Sequence, residues 1–265
     1  MVELAAVPVQ SGLPVVRAVR YVEPLREGGS LPGLVEGDDL GTYVVKFRGA
    51  GQGPKTLVAE IVVGELARRL GIRVPDLVLA DLDEAIARRE PDPEIQALLL
   101  ASVGLNLGMD FLPRSLGYDG HGRRADAVDA ARVLWLDALT VNVDRSWRNP
   151  NLLTWHGNLW AIDHGAALLF QHTWPGVDAF AVRPYAIDDH VLAFAADRLA
   201  AVDAELAPQV TPSVLAQILA LVPDDWLPEV PALPGAGPDT VRQHYVDHLA
   251  ARAAASASWL PRAAA

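Results

Sequence analysis

The stretch NVDRSWRNPNLLTWHGNLWAIDHGAAL, Asn142 to Leu168, places the tightest constraint on what this chain can fold into. It sets Asp144, Asn149 and Asp163 beside apolar runs that call for burial. An unpaired carboxylate removed from water costs several kcal/mol. The fold must therefore bring these acids a metal, a proton transfer or a dense hydrogen-bond network. The runs Asn151 to Trp155 and Leu159 to Ile162 flank His156-Gly157-Asn158 and predict a β-hairpin. Such a hairpin would return Asp163 to the neighbourhood of Asp144 and Asn149.

The surrounding pattern changes along the chain. PVVRAVRYVEPL and LGTYVVKF (Leu40 to Phe47) read as strands, with EGGSLPG as a loop between them. LVAEIVVGELARRLG, after Pro54, has helical spacing at Leu57, Ile61, Leu66 and Leu70, and Gly71 is placed to end that helix. Val74 to Leu82 and Asn106 to Pro113 read as strands around a helix in PDPEIQALLLASVG. DAVDAARVLWLDALTVN predicts a buried helix. DDHVLAFAADRLAAV, SVLAQILALV and TVRQHYVDHLAARAA predict further helices, and WLPRAAA a loose tail. The expected class is α+β, with a strand-rich N-terminal lobe over residues 1–110 and a mainly helical C-terminal lobe over 111–265.

Composition narrows the function. A 265-residue chain with 51% hydrophobic residues can bury a core, and no apolar run reaches the ~18 residues of a membrane span. MVELAAVPVQSG lacks the basic start and apolar stretch of a signal peptide. The absence of cysteine removes thiolate metal sites and fits a cytoplasmic protein. A net charge of −11 argues against direct nucleic-acid binding. Among 22 cationic side chains only Lys46 and Lys55 are lysines. A retained lysine marks either a position where a compact ammonium is needed and a guanidinium does not fit, or an accident of placement.

These parts, in this order, match the needs of phosphoryl transfer from ATP. Gly28, Gly29 and Ser30 supply a glycine loop. Lys46 ends a strand, and Glu60 lies on the next helix to hold it, with Glu65 as competitor one turn on. Asn149 and Asp163 offer hard oxygens to Mg²⁺. Asp144 is placed to take the proton of an acceptor hydroxyl.

NVDRSWRN resembles the N-x-D-x-H-x-K-N catalytic loop of HipA-like kinases, and IDHG (Ile162 to Gly165) resembles their counterpart of the DFG segment. The strand VVKF and the helix after it are placed as in that family, and the similarity covers roughly residues 15 to 200. The resemblance implies a two-lobed protein-kinase-like fold. It makes Asp144 the catalytic base, Asn149 and Asp163 the Mg²⁺ ligands and Lys46 the phosphate lysine. Arg148 stands at the usual Lys of the pattern and keeps its charge, whereas Ser146 replaces the usual His. In MDFLP, Met109, Asp110, Phe111 and Leu112 would form the hinge that receives adenine. The implied partners are ATP and a hydroxyl-bearing acceptor, a protein serine or threonine in the family. A pseudokinase-like nucleotide-binding module and AMP transfer on the same fold stay open.

Three other features carry less. GAGQGPKT mimics a Walker A loop, but Pro54 separates Gly53 from Lys55, which that motif needs adjacent. Lys55 remains a candidate phosphate contact. His244 and His248 have zinc-compatible spacing without a third ligand, so an exposed helix face is expected. Trp135, Trp155 and Trp160 are expected in the core.

Overall fold

The computed structural model describes residues 12–25, 31–51, 53–120 and 125–261. Strands β1 (Val15–Pro24), β2 (Gly33–Gly37) and β3 (Thr42–Lys46) lead into helix α1 (Pro54–Arg69). Strand β4 (Leu77–Leu82), helices α2 (Glu84–Ala87) and α3 (Pro93–Leu100), strand β5 (Gly104–Asp110) and the short β6 (Leu116–Gly117) follow. Helix α4 (Ala127–Thr140) precedes the hairpin β7 (Leu152–Trp155) and β8 (Asn158–Ala161). The remainder is helical: α5 (Phe170–Thr173), α6 (Val177–Ala181), α7 (Leu199–Leu206), α8 (Pro212–Leu219), α9 (Pro238–Ala254) and α10 (Ser256–Trp259). The fold is α+β.

The first five strands close into a barrel in the order β1-β2-β3-β5-β4, with β1 parallel to β4 and the other pairs antiparallel. Strand alternation then decides which way each side chain faces. Tyr43, Val45 and Phe47 join a cluster with Val78, Ala80 and Leu82, whereas Val44, Leu77 and Leu79 pack into the larger core that contains α1 and α4. Lys46 has the parity of Val44, so its side chain leaves β3 on the α1 side. α1 buries Leu57 through Gly64, Leu66 and Ala67, with no polar face over that length. It is sandwiched between strands and helices, which is why Glu60 on it is only 1% exposed.

Several expectations are corrected. The sequence pattern announces no strand at β2, which begins at the last residue of the expected EGGSLPG loop; it is five residues long and bounded by Gly33 and Gly37, too short for alternation to show. Leu40 lies outside β3, fully exposed in a left-handed turn. Val74 to Asp76 precede β4. DDHVLAFAADRLAAV is not one helix: a 3₁₀ turn over Ala193–Arg198 leads into α7, and Asp188 and Asp189 are non-helical. His248 is buried, not on an exposed face: its ring nitrogens meet the His244 and Pro175 carbonyl oxygens at 2.7 and 2.9 Å, and it stacks on Phe170. Among the described residues no group of three or more His, Cys, Asp or Glu is placed to hold a metal. Trp259, expected in a tail, is buried against Trp135 and donates Nε1–H to the Arg252 carbonyl at 2.6 Å. Trp135 is fully buried; Trp155 and Trp160 are half-buried and meet edge to face. Gly71 ends α1 with φ +73°, as its conformational freedom allows. Among the described residues no helix is long and apolar enough to cross a membrane.

Candidate active site

Lys46 is the meeting point of three segments. Its Nζ donates to Glu60 Oε1 and, at 2.6 Å, to Asp163 Oδ1. The other Glu60 oxygen accepts the His164 backbone N–H at 2.9 Å, so α1 holds the chain directly at the residue after Asp163 and reaches the Asp163 side chain through Lys46. Glu65, the alternative partner, instead pairs with Arg68 at 3.3 Å. Burial disfavours the Lys46 ammonium, but Glu60 and Asp163 outweigh it and hold its pKa above the ordinary value. Burial likewise opposes ionisation of Asp163, and Lys46 overrides it and lowers the pKa. Asp163 has φ +55°, a left-handed conformation that costs an L residue energy and persists only when its surroundings enforce it. Gly165 is required by close approach: a Cβ there would run into Thr56 Cγ2 on α1.

The second part of the site is the loop between α4 and β7. Asp126 caps the α4 N-terminus by accepting from Val128 and Asp129 N–H groups. Val141 ends the helix in the left-handed region, rare for a β-branched residue, and turns the chain toward Asp144. Asn149 Nδ2 donates to Asp144 Oδ2 at 2.9 Å, and Asn151 Nδ2 donates to the Asp144 carbonyl at 2.6 Å. Asn142 Oδ1 accepts the Asp144 N–H at 3.1 Å. Three asparagines thus fix one aspartate, whose side chain is half-buried.

Beneath this loop lies a charged network that the sequence did not single out. Asp137, on the last turn of α4, pairs with Arg145 Nε at 2.5 Å with neither side chain exposed. Asn142 Nδ2 donates to the other Asp137 oxygen at 2.9 Å, and His190 Nε2 lies 3.2 Å from the first. His190 Nδ1 accepts the Leu192 N–H at 3.1 Å, so Nε2 carries the proton and donates to Asp137. Burial pushes the Asp137 carboxyl up, but Arg145 and His190 bring it down to about 2. Burial, then the Arg145 charge, lowers His164 to about 3, so that imidazole is neutral.

The HipA-like kinase profile matches residues 18–244. The chain belongs to the HipA-like kinase family. No curated protein sequence matches it significantly. Among solved structures it is similar to the Helicobacter pylori proinflammatory kinase CtkA, at 13% identity and TM-score 0.52, covering 91% of this chain and 99% of that one. The Golgi casein kinase with Mn/ADP bound also aligns, at 14% identity and TM-score 0.45, over 94% of this chain and 75% of the other. The CtkA likeness shows a shared kinase fold, and family membership supports phosphotransferase activity.

Other residues expected in the site of this kinase are placed unevenly. Arg148 is exposed and lies over the Trp147 ring, 4.1 Å from its centroid, rather than on Asp144. Lys55 sits in the first turn of α1; its carbonyl accepts from Gln171 Nε2 at 3.2 Å, and its side chain makes no ion pair among the described residues. Met109 and Leu112 are buried. The backbone N–H groups of Asp110 and Phe111 are already committed, to the Asp76 and Thr42 carbonyls at 2.8 and 2.9 Å. Gly28, Gly29 and Ser30 lie outside the described residues.

Proposed function

We propose that this chain is an ATP- and Mg²⁺-dependent kinase that transfers the γ-phosphoryl group to a hydroxyl acceptor, a protein serine or threonine. The observation that carries the reading is the convergence of Lys46, Glu60 and Asp163 at one point, with the Asp144–Asn149 pair on the loop that the hairpin joins to it. In this reading the barrel with its helices, residues 1–110, is the nucleotide lobe. Residues 111–265 form the helical catalytic lobe, and Met109 to Leu112 form the hinge at the adenine.

The residues present fit magnesium. Asn149 spends its Nδ2 on Asp144, which leaves its amide oxygen as a donor, and Asp163 is held ionised. Two hard protein oxygens, completed by phosphates and water, suit Mg²⁺ better than a closed protein cage does. Bound there, the ion supplies neutralisation of phosphate charge. Lys46, steadied by Glu60, holds phosphate oxygens of ATP. Asp144, with one carboxylate oxygen bonded to Asn149, orients the acceptor hydroxyl with the other and receives its proton as the oxygen attacks the γ-phosphorus. The bond from that phosphorus to the bridging oxygen breaks, and ADP leaves. Positioning and electrostatics carry nearly all of such a reaction. A cavity of about 340 Å³ lined by Val143, Ser146, Arg183, Asp188 and Asp189 lies beside the Asp144 loop.

The test is Asp144→Asn. It keeps the fold and ATP binding but lowers transfer by a factor of ~10² to 10⁴, the scale of a positioned acid–base group. Unchanged turnover removes Asp144 from the mechanism.

A further inference from the structure

We infer that Arg145 is the positioning residue that couples the Asp144–Asn149 loop to Asp163, acting through a buried guanidinium that touches neither nucleotide nor acceptor. Its catalytic consequence rests on the kinase reading; its coupling role does not.

Arg145 follows Asp144 in sequence, yet its side chain is wholly buried. The guanidinium reaches four places at once. Nε donates to Asp137 on α4 at 2.5 Å. Nη1 donates to the carbonyl of Asn151, where β7 begins, and at 3.2 Å to that of Ile162, the residue before Asp163. Nη2 lies 3.3 Å from His164 Nδ1, the residue after Asp163. Both backbone positions it supports are unusual: Asn151 and Asp163 have φ +48° and +55°. Left-handed conformations at non-glycine residues need enforcement from their surroundings. Arg145 bonds to Asn151 itself and to both chain neighbours of Asp163, and Glu60 holds the same stretch from the opposite side through the His164 N–H. The planar fork is what makes four simultaneous contacts possible; an ammonium on a flexible stem can meet Asp137 but cannot span Asn151, Ile162 and His164.

A buried ion pair could serve folding alone, and Arg252 provides the control. It too is fully buried, but it donates only to the carbonyls of Ala138, Leu139, Phe180 and Arg183, and to no residue of the Asp144–Asn149 loop or of the segment around Asp163. Arg145→Lys and Arg252→Lys should therefore differ in kind. In the full chain, Arg145→Lys is expected to speed amide hydrogen exchange by about tenfold within residues 143–151 and 160–165, with the barrel strands unchanged. It should lower kcat by about tenfold to a hundredfold, raise the Mg²⁺ concentration needed for half-maximal rate, and leave KM for ATP within about threefold. Arg252→Lys lowers thermal stability but keeps the wild-type Mg²⁺ requirement and the kcat per folded molecule. Should Arg145→Lys fail to fold, Asp137→Asn, which keeps shape and removes one charge, must speed exchange in those two segments beyond the general increase that its lower global stability brings to the barrel strands. Unchanged exchange in the loop, or a kcat loss matching only the unfolded fraction, overturns the inference. A wild-type chain that transfers nothing sinks the kinase reading, while the exchange pattern still decides whether Arg145 couples the two segments.

Discussion

Lys46 Nζ donates to Asp163 Oδ1 at 2.6 Å although 117 residues separate the two in sequence. The contact exists because β3 alternation turns Lys46 toward α1 and the β7–β8 hairpin returns Asp163 to the same place. A compact ammonium fits between Glu60, Asp163 and phosphate oxygens; a planar guanidinium is broader and imposes its own bidentate geometry. Lys46→Arg is accordingly expected to stay folded, bind nucleotide weakly and lose most of its transfer rate with its charge intact. Near wild-type turnover in a steady-state assay would show that charge alone suffices there.

Asp163→Ala removes the anionic metal donor. Its affinity for ATP, measured by calorimetry with and without Mg²⁺, is expected to lose its dependence on the metal, because a hard dication depends on that carboxylate. The same substitution leaves Lys46 with Glu60 alone. A Mg²⁺ dependence equal to that of the wild type would take Asp163 out of the metal site.

Asp137 links the site to acid stability. Its folded pKa is depressed to about 2 against an ordinary 3.8, so the unfolded chain binds the proton more readily. The stabilisation it contributes is complete above the unfolded value and is lost as pH falls from about 4 toward 2, amounting to about 2 kcal/mol. Denaturant titrations across that window are expected to show a flatter acid limb for Asp137→Asn than for the wild type. That variant should also be less stable at neutral pH by about 3–5 kcal/mol, since Arg145 keeps a buried charge without its counterion. Parallel acid limbs would mean that Asp137 is not the titrating group.

The sequence made the larger elements legible because their signals are strong. The helices around Leu57 to Leu70 and Val128 to Leu139, and the hairpin after Asn149, announce themselves by period and turn chemistry. The order Lys46, Glu60, Asp144, Asn149, Asp163 was readable for the same reason: each residue stands beside an element whose type was clear. What stayed hidden depends on three-dimensional closure. β2 is too short to show alternation and is fixed by its partners in the barrel. His248 and Trp259 look exposed in sequence, but the carbonyls and rings that bury them come from remote helices. Arg145 and Asp137 read as an ordinary loop arginine and a helix acid. Their roles follow from Ile162 and His164, seventeen and nineteen residues beyond Arg145, converging on one guanidinium. The local hint was weak, because Arg145 and Arg148 both lie between Asp144 and Asn149 and only Arg145 is buried.

The central claim is that this chain moves a phosphoryl group. The most direct measurement incubates it with Mg²⁺ and a protein lysate in two parallel reactions, one with ATP labelled at the γ-phosphate and one with ATP labelled at the α-phosphate. The expected result is protein-bound label from the γ position only, abolished in Asp163→Ala and released from serine or threonine on hydrolysis. Label retained from the α position would mean AMP transfer, and label from neither, with ATP still bound, would mean a nucleotide-sensing module; either result contradicts the account.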